Sequence, residues 1–175
     1  MAIYAQTLYH VVFSTLHRER SLGASKRPEL YAFLWEQLKT KQCRLHRIGG
    51  TENHVHLLFS LHPAVSLMTV VQDLKRNSED WIRSHYIYKP FNGWQQGYVA
   101  FTHSLAERDA LIEMIKGQEK LHKDITFREE LEQLLDEAGL KLADDDEEWF
   151  DDEEEPWPED IKEPPQDPDG WIKSS

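Results

Sequence analysis

Cysteine is almost absent from this sequence, since Cys43 is the only one in 175 residues. A single cysteine forms neither an intrachain disulfide nor a cysteine cluster for zinc, so nothing indicates an oxidising compartment. Long apolar runs are also missing, because no stretch approaches the roughly 20 apolar residues that a bilayer crossing needs. The first residues show no basic segment followed by an apolar one. We therefore expect a cytoplasmic protein without export signal or membrane span.

Positive charge is scarce as well, with 20 Lys and Arg against 32 Asp and Glu and a net charge of -12. Such a balance argues against a nucleic-acid partner, because phosphate contacts need lysine and arginine. The excess is local, however: residues 141–175 hold 15 acidic and three basic side chains, whereas residues 1–140 hold 17 of each. The larger part of the chain is neutral and remains compatible with DNA.

This partition predicts a globular domain over residues 1–140 and an acidic tail over residues 141–175. The tail is rich in acid runs and proline and poor in aliphatic residues, so it cannot offset the entropy of ordering, and we expect it to be disordered. Its acidic and aromatic residues can imitate DNA and shield a groove of the same protomer, or they can form a solubilising extension. The aromatic residues in question are Trp149, Phe150 and Trp157.

Hydrophobic periodicity predicts four strands and four helices in the order β-α-β-β-α-β, followed by two helices. The strands are expected at residues 6–14, 44–48, 55–61 and 97–103. The helices are expected at residues 26–41, 64–84, 105–123 and 127–138, with Ser66 near the start of the second and Gly139 as the C-cap of the last.

This order is typical of the ferredoxin-like, split βαβ arrangement, so the predicted fold class is α+β. We expect a four-stranded antiparallel sheet with both crossover helices on one face and extra helices at the C-terminal end of the domain. The other face of the sheet is then free for a site or for a dimer partner.

Two histidines separated by one residue are the most informative chemical feature. If residues 55–61 and their flank form a strand, His54 and His56 project from the same face while Val55 and Leu57 point to the core. Two imidazoles on one face form half of a divalent-metal site. Two surface histidines on a half-exposed strand are the alternative at this point.

A third ligand must come from another element, and the helix predicted at residues 105–123 offers several polar side chains. Gln118 and His122 are four positions apart and share a helix face. The helix can equally be only amphipathic. Its other polar candidates are Glu113 and Glu119.

Five segments in a fixed order extend this pattern over residues 3–140. They are Tyr9-His10-Val11-Val12-Phe13-Ser14, Asn53-His54-Val55-His56-Leu57-Leu58, Leu74-Lys75 with Ser78 and Trp81-Ile82, Gly97-Tyr98-Val99-Ala100-Phe101, and Ile115 with Gln118, His122, Phe127, Glu129 and Glu130. With these segments the chain resembles the single-tyrosine transposases of the HUH endonuclease superfamily, which include the insertion-sequence-200/605 class and the REP-associated tyrosine transposases.

The resemblance implies a metal-dependent DNA strand transferase that binds a hairpin in single-stranded DNA. In that family a tyrosine hydroxyl attacks the scissile phosphate and forms a phosphotyrosine link, and a metal, commonly Mg²⁺ or Mn²⁺, stabilises the developing charge. By position, the resemblance makes His54, His56 and Gln118 the metal ligands. It also implies a homodimer in which each site is completed by the tyrosine helix of the other subunit.

The chain departs from the family pattern at the nucleophile. The family's tyrosine precedes the helix glutamine by four positions, and Met114 stands there. A thioether has no ionisable proton and cannot form a phosphotyrosine link. Three explanations stay open: a cleavage-dead relative kept for DNA binding, a decayed enzyme, or another tyrosine such as Tyr98, for which packing in the sheet is the favoured role.

DNA binding is expected to use basic residues of the globular domain, although each can also be a solvated surface charge. The candidates are Arg18 and Arg20 after the first strand and Lys75 and Arg76 on the second helix, with Lys26 and Arg27 nearby in sequence. Aromatic side chains can stack on unpaired bases or pack within the long loop. These are Tyr86, Tyr88 and Trp94.

Two rivals belong to other functional classes. One is a non-enzymatic, domesticated DNA-binding regulator derived from a transposase, whose metal site is vestigial or structural. The other is a ferredoxin-like protein-interaction domain without nucleic acid, which predicts absent or salt-insensitive DNA binding.

Overall fold

The described part of the chain, residues 2–142 of this computed structural model, contains one four-stranded antiparallel sheet. Its order is β2-β3-β1-β4. The strands are β1 at Leu8–Ser14, β2 at Arg44–Gly50, β3 at His54–Ser60 and β4 at Val99–His103. This order confirms the split βαβ arrangement and the α+β class. The expected disordered tail lies almost entirely outside the described residues.

Two long helices cover one face of the sheet. They are α1 at Arg27–Thr40 and α2 at Leu67–His85. Because side chains alternate along a strand, every second residue of β1 and β3 points towards these helices. The resulting core contains Val11 and Phe13 of β1 and Val55, Leu57 and Phe59 of β3, all fully buried.

The opposite face is also covered, by three helices at the C-terminal end of the domain. They are α3 at Arg108–Lys116, α4 at Gln118–Leu121 and α5 at Phe127–Glu137. The expectation of a free second face is therefore wrong for this chain. Apolar residues of the strands alternate there with the histidines, and they need apolar partners from the helices. These contacts join Leu8 and Leu58 to Ile115, and Val12 and Phe101 to Phe127, Leu131 and Leu135.

The helix predicted over residues 105–123 is divided. A 3-10 turn at Leu105–Glu107 precedes α3, and Gly117 separates α3 from α4. Close approach to the sheet is possible because Gly49 of β2 lies beneath the end of α3. A Cβ at Gly49 would lie 2.7 Å from the carbonyl oxygen of Ile115. The polar residues that follow Gly117 are thereby held close to β2 and β3.

Helix α5 begins at the residue that the sequence predicts and ends one residue earlier. Thr126 and Glu129 form a capping box at its start, which satisfies two otherwise unpaired backbone donors. Gly139 follows its end with φ of +71°, a left-handed conformation that glycine adopts without strain. Ser66 precedes α2 as predicted, but its side chain makes no capping hydrogen bond. Within residues 2–142, no helix has both the length and the apolar character that crossing a bilayer needs.

Candidate functional site

Three fully buried histidines lie on the sheet face that α3, α4 and α5 cover. His54 and His56 are on β3, and His10 is on the neighbouring strand β1. The two β3 histidines share this face, while Val55 and Leu57 lie in the core on the other side. All three imidazoles are 0% exposed. The alternative of surface histidines is therefore wrong, because the C-terminal helices bury them.

The imidazole of His54 is fixed on two sides. Its Nδ1 lies 2.7 Å from Asn53 Oδ1 and 3.0 Å from Thr51 Oγ1, whose hydroxyl donates to the same Asn53 oxygen. Both oxygens thus present lone pairs to Nδ1, so this nitrogen carries the ring proton. Phe127 stacks on the ring at 4.1 Å between centroids. The Nε2 of His54 is left with a lone pair that faces the C-terminal helices.

His56 is oriented by a second histidine. Its Nδ1 lies 2.8 Å from His10 Nε2, and the two rings stack with centroids 5.1 Å apart. Burial first, and the neighbouring His56 second, lower the pKa of His10 well below its usual value. A neutral His10 can accept the Nδ1 proton of His56. The remaining nitrogen, His56 Nε2, has no hydrogen-bond partner among the described residues.

Two residues of the α4 region meet His54. Gln118 Oε1 lies 2.8 Å from His54 Nε2 and 3.0 Å from His122 Nε2. Both are buried, with Gln118 at 1% and His122 at 6% exposure. The expected proximity of Gln118 to the paired histidines is therefore present in the structure. His122, one of the further candidates from the sequence, lies beside it because the two are four positions apart.

Glu130 of α5 stands at the centre of this group, and sequence reasoning gave it no role. Its Oε2 lies 2.8 Å from His122 Nε2, 3.4 Å from His56 Nε2 and 3.7 Å from His54 Nε2. Its Oε1 accepts a hydrogen bond from Gln118 Nε2 at 2.5 Å. A signal existed in the sequence: Glu130 interrupts the apolar stripe of α5, three positions after Phe127, and a carboxylate on a buried helix face needs a partner.

The electrostatics of the group fit a divalent cation. Burial lowers the pKa of His54 well below its usual value, and His122 and His56 add to this effect. Burial alone would raise the pKa of the Glu130 carboxyl, but the three surrounding imidazoles lower it far below its usual range. A neutral imidazole beside an ionised carboxylate is a donor set that divalent metals accept. Ligand atoms of His54, His122 and Glu130 all lie within 4.8 Å of one another.

Met114 lies at the edge of this group. It is on α3, one turn before Gln118, and its sulfur lies 3.5 Å from Gln118 Nε2. Its side chain also packs beside the cluster of Leu8, Leu58 and Ile115. The position expected for a nucleophile is thus adjacent to the histidines, and it carries a thioether. Tyr98 packs against the core on the other face of the sheet, which agrees with the packing role favoured for it.

The basic residues after β1 differ in exposure. Arg18 is buried at 5%, whereas Arg20 is exposed. Both follow Ser14, which pairs with His54 in the register of the sheet. Of the two, Arg20 is therefore the one that lies open to solvent.

The two basic residues of α2 also differ. Lys75 Nζ donates to the carbonyl oxygens of Gln95 at 2.6 Å and Gly97 at 2.8 Å, and burial lowers its pKa to about 8. This amine holds a loop and is not available to phosphate in this arrangement. Arg76 is exposed and pairs with Asp73 at 2.7 Å.

Most of the aromatic candidates for base stacking are buried. Trp94 is 7% exposed and donates from Nε1 to Ser78 Oγ, and Tyr88 is 8% exposed. Tyr86, at 73% exposure, is the one open to a base. The packing alternative therefore applies to two of the three.

Within the described residues, helices of the same chain bring the polar side chains to the histidines of the sheet. Arg27 at the start of α1 forms an ion pair with Glu119 of α4 and donates to the Gly50 carbonyl oxygen at 3.3 Å. With Arg27 4% exposed, this buried pair ties α4 to the sheet of the same chain. Homodimerisation stays a prediction, and the exchange of helices between subunits is not needed to bring Gln118 to His54.

Comparisons with known proteins agree with this geometry. Residues 3–118 match the family model described as transposase, IS200 like. A suspected transposase from Deinococcus radiodurans R1 shares the fold at a TM-score of 0.54 and 22% identity, over 67% of this chain and 95% of that one. A REP-associated tyrosine transposase bound to a REP hairpin aligns at a TM-score of 0.51 and 14% identity, over 81% of this chain and 89% of that one. No curated protein matches the chain.

Proposed function

The chain belongs to the family of IS200-like transposases, and from this premise we propose that it binds hairpin-bearing single-stranded DNA and a divalent metal without cleaving the DNA. The observation that carries the proposal is Met114, which stands beside the buried histidines where the family has its nucleophile. The chain thus keeps the binding parts of a transposase and lacks the group that forms the covalent link.

The metal would be held by His54, His56 and Gln118. Their atoms His54 Nε2 and Gln118 Oε1 are 2.8 Å apart, and His56 Nε2 lies on the same side without a hydrogen-bond partner among the described residues. When bound, a divalent ion would polarise a DNA phosphate and neutralise part of its charge. In this chain we propose that the contact between metal and phosphate serves DNA binding and not cleavage, since Met114, one turn before Gln118, has no hydroxyl.

Support for a hairpin partner comes from the fold and from the exposed basic residues. The similar REP-associated transposase is bound to a REP hairpin, and Arg20 lies in the loop that follows β1 in this chain. We propose Arg20 and Arg76 as phosphate contacts, because both are exposed. The buried Arg18 and the carbonyl-bound Lys75 would instead support the loops that carry such contacts.

Binding and covalent chemistry can be tested separately. The full chain should retard a labelled single-stranded hairpin in Mn²⁺ more strongly than an unstructured strand of equal length, and it should leave no protein–DNA adduct on a denaturing gel. An adduct would contradict the assignment of Met114. Equal binding of the hairpin and the unstructured strand, or no binding at low salt, would contradict hairpin recognition.

Substitution of Arg20 should weaken binding in a salt-dependent way. Arg20→Gln removes one exposed cation, so hairpin affinity should fall and the slope of log affinity against log salt should decrease by about 0.7, the value for one contact to a single strand. The measurement is fluorescence anisotropy at several salt concentrations. Lys39→Gln, at an exposed position on α1, is the matched control, and equal losses in both variants would refute a specific role for Arg20.

His10 should control metal affinity although it is not a ligand. Removing its ring nitrogen takes away the partner of His56 Nδ1, and loss of such a partner typically weakens metal binding by about 10–100-fold. We expect this loss in His10→Phe by titration calorimetry with Mn²⁺, and a smaller loss in His10→Gln, which keeps a polar partner. His46→Gln is the control, since His46 contacts Ser60 and lies outside the group. Unchanged affinity in His10→Phe would reject this role.

A second candidate is the non-enzymatic regulator, and Met114 favours it as well. The two differ in the role of the metal. If the metal contacts the DNA, His54→Ala and His56→Ala should lower hairpin affinity in Mn²⁺ but not in EDTA. If hairpin affinity is the same for these variants and the unchanged chain in both buffers, the regulator with a vestigial or structural metal site is the correct description.

A further inference from the structure

Around the neutral ring of His122, hydrogen-bond acceptors outnumber the protons that can be shared among them. His122 Nδ1 lies 3.0 Å from the carbonyl oxygen of Ile125, and a carbonyl only accepts, so Nδ1 carries the ring proton. In the neutral ring, Nε2 then presents a lone pair. Its neighbours are Glu130 Oε2 at 2.8 Å and Gln118 Oε1 at 3.0 Å. Three acceptor atoms therefore face one another.

Rotation of the Gln118 amide does not relieve this arrangement. Its Nε2 lies 2.5 Å from Glu130 Oε1, and exchanging the amide oxygen and nitrogen would set an oxygen against the carboxylate. Its Oε1 also lies 2.8 Å from His54 Nε2. The proton of His54 is already on Nδ1, which faces Asn53 Oδ1. His54 Nε2 is thus a fourth acceptor in the group.

His56 adds a fifth acceptor atom beside Glu130. Its Nε2 is fully buried, lies 3.4 Å from Glu130 Oε2 and has no hydrogen-bond partner among the described residues. Several buried lone pairs that converge without protons between them are unfavourable unless a cation lies among them. The converging atoms are the Nε2 atoms of His54, His56 and His122, Oε1 of Gln118 and Oε2 of Glu130.

We propose that His54, His122 and Glu130 together bind one borderline transition-metal ion, with Zn²⁺ as the best fit and Mg²⁺ as a poor one. This inference rests on the metal site of the proposed function: it keeps His54, assigns His122 and Glu130 as the other ligands in place of His56 and Gln118, and specifies the class of ion. Imidazole nitrogen suits zinc and its neighbours in the transition series, whereas Mg²⁺ takes oxygen ligands and retains water.

The separations of the donor atoms agree with a single ion. Glu130 Oε2 lies 2.8 and 3.7 Å from the Nε2 atoms of His122 and His54, and ligand atoms of these three residues all lie within 4.8 Å of one another. In a tetrahedral site with bonds of about 2.0–2.1 Å, ligand atoms lie about 3.3 Å apart. Two imidazoles and one carboxylate also supply the three protein ligands of a zinc site whose fourth position is open.

Such an ion would join the two layers on this face of the sheet. Its ligands come from β3, from His122 just after α4 and from Glu130 on α5, whereas the small apolar cluster around Phe127 joins α5 to β1 and β4. Because the unfolded chain has no preformed site, metal binding would stabilise the folded state. Removal of the metal should therefore loosen α4 and α5 first.

The test uses the full chain, freed of metal with a chelator and then titrated with Co²⁺ as a spectroscopic probe. We expect one equivalent of Co²⁺ to produce visible absorption bands, Zn²⁺ to abolish them by displacement, and a hundredfold excess of Mg²⁺ to leave them unchanged. Zn²⁺ should also raise the melting temperature of the metal-free protein. These readouts need neither DNA nor catalytic activity.

Variants separate the new ligands from those already proposed. Glu130→Gln and His122→Asn should each weaken Co²⁺ binding at least about tenfold and change the spectrum, because each removes a ligand. His54→Ala should abolish binding, and His85→Gln, at an exposed position on α2, should change nothing. Circular dichroism of each metal-free variant verifies that it is folded. If His122→Asn does not fold, His122→Gln takes its place.

The outcomes distinguish this inference from the proposed function. If Glu130→Gln and His122→Asn bind Co²⁺ as the unchanged chain does while His54→Ala does not, the ion is held without the two new ligands and this inference is refuted, whereas the proposed metal site stands. If Mg²⁺ displaces Co²⁺ at similar concentration, the class of ion is wrong. If the unchanged chain binds neither Co²⁺ nor Zn²⁺, both proposals of a metal fail, and His122 and Glu130 form an imidazolium–carboxylate pair.

Discussion

Met114→Tyr should produce a covalent protein–DNA adduct that the unchanged chain does not form. Residue 114 lies one helical turn before Gln118 and next to it, with 3.5 Å between the Met114 sulfur and Gln118 Nε2. Residues four apart share a helix face, so a hydroxyl introduced there would point towards the same group. Restoring a nucleophile is worth on the order of 10⁴-fold or more in rate. The measurement is the fraction of labelled hairpin DNA that migrates with protein on a denaturing gel in Mn²⁺.

Two controls define what the adduct means. Met114→Phe places a ring of similar size without the hydroxyl and should give no adduct. Adding His56→Ala to Met114→Tyr should remove the adduct if the histidines assist the chemistry. An adduct in the unchanged chain would show that another residue is the nucleophile. If Met114→Tyr binds the hairpin but stays unreactive, the loss of cleavage involves more than residue 114.

The fold could be predicted because the apolar periodicity of this chain is local and regular. The 3.6-residue spacing at residues 26–41 and the alternation at 55–61 each define one element, and their order leaves few topologies. The division at Gly117 was missed, because apolar spacing continues across it. What requires the division is the close contact between Gly49 and the Ile115 backbone, which joins residues far apart in sequence.

The candidate site was predictable only where its residues share one element. His54 and His56 lie two apart on β3, and Gln118 and His122 lie four apart, so local geometry relates the members of each pair. Glu130 joins these pairs from a third element, and no sequence spacing specifies that contact. The prediction that the second sheet face is uncovered was wrong for the same reason, because the apolar stripe of α5 does not determine which surface the helix covers.

Burial explains why single charges were the least predictable features. Arg18, Arg27 and Lys75 look alike in sequence to Arg20 and Arg76, but the first two are nearly inaccessible and the amine of Lys75 is engaged by two carbonyl groups. A buried cation needs partners such as Glu119, which pairs with Arg27. Such a residue stabilises the scaffold, and we therefore keep only the exposed Arg20 and Arg76 as proposed phosphate contacts.

Phe127→Ala should affect both the stability of the domain and the metal site. Phe127 begins α5, is 2% exposed and lies in the cluster with Val12, Phe101 and Leu131. Truncating a buried phenylalanine costs about 3–5 kcal/mol, from lost burial and the cavity left behind. The free energy of unfolding of the metal-free chain, measured in urea, should fall by that amount.

The same ring also stacks on the His54 imidazole, with 4.1 Å between centroids and 15° between planes. Its loss should therefore let His54 rotate and should weaken metal binding in addition to destabilising the fold. Phe59→Ala is the matched control. Phe59 is fully buried on β3, the strand that carries His54, but it faces the core beneath α1 and α2. It should show a similar loss of stability with metal affinity unchanged under conditions where the variant is folded. If both variants lose metal affinity equally, the loss follows general destabilisation, and the stacked ring does not orient His54.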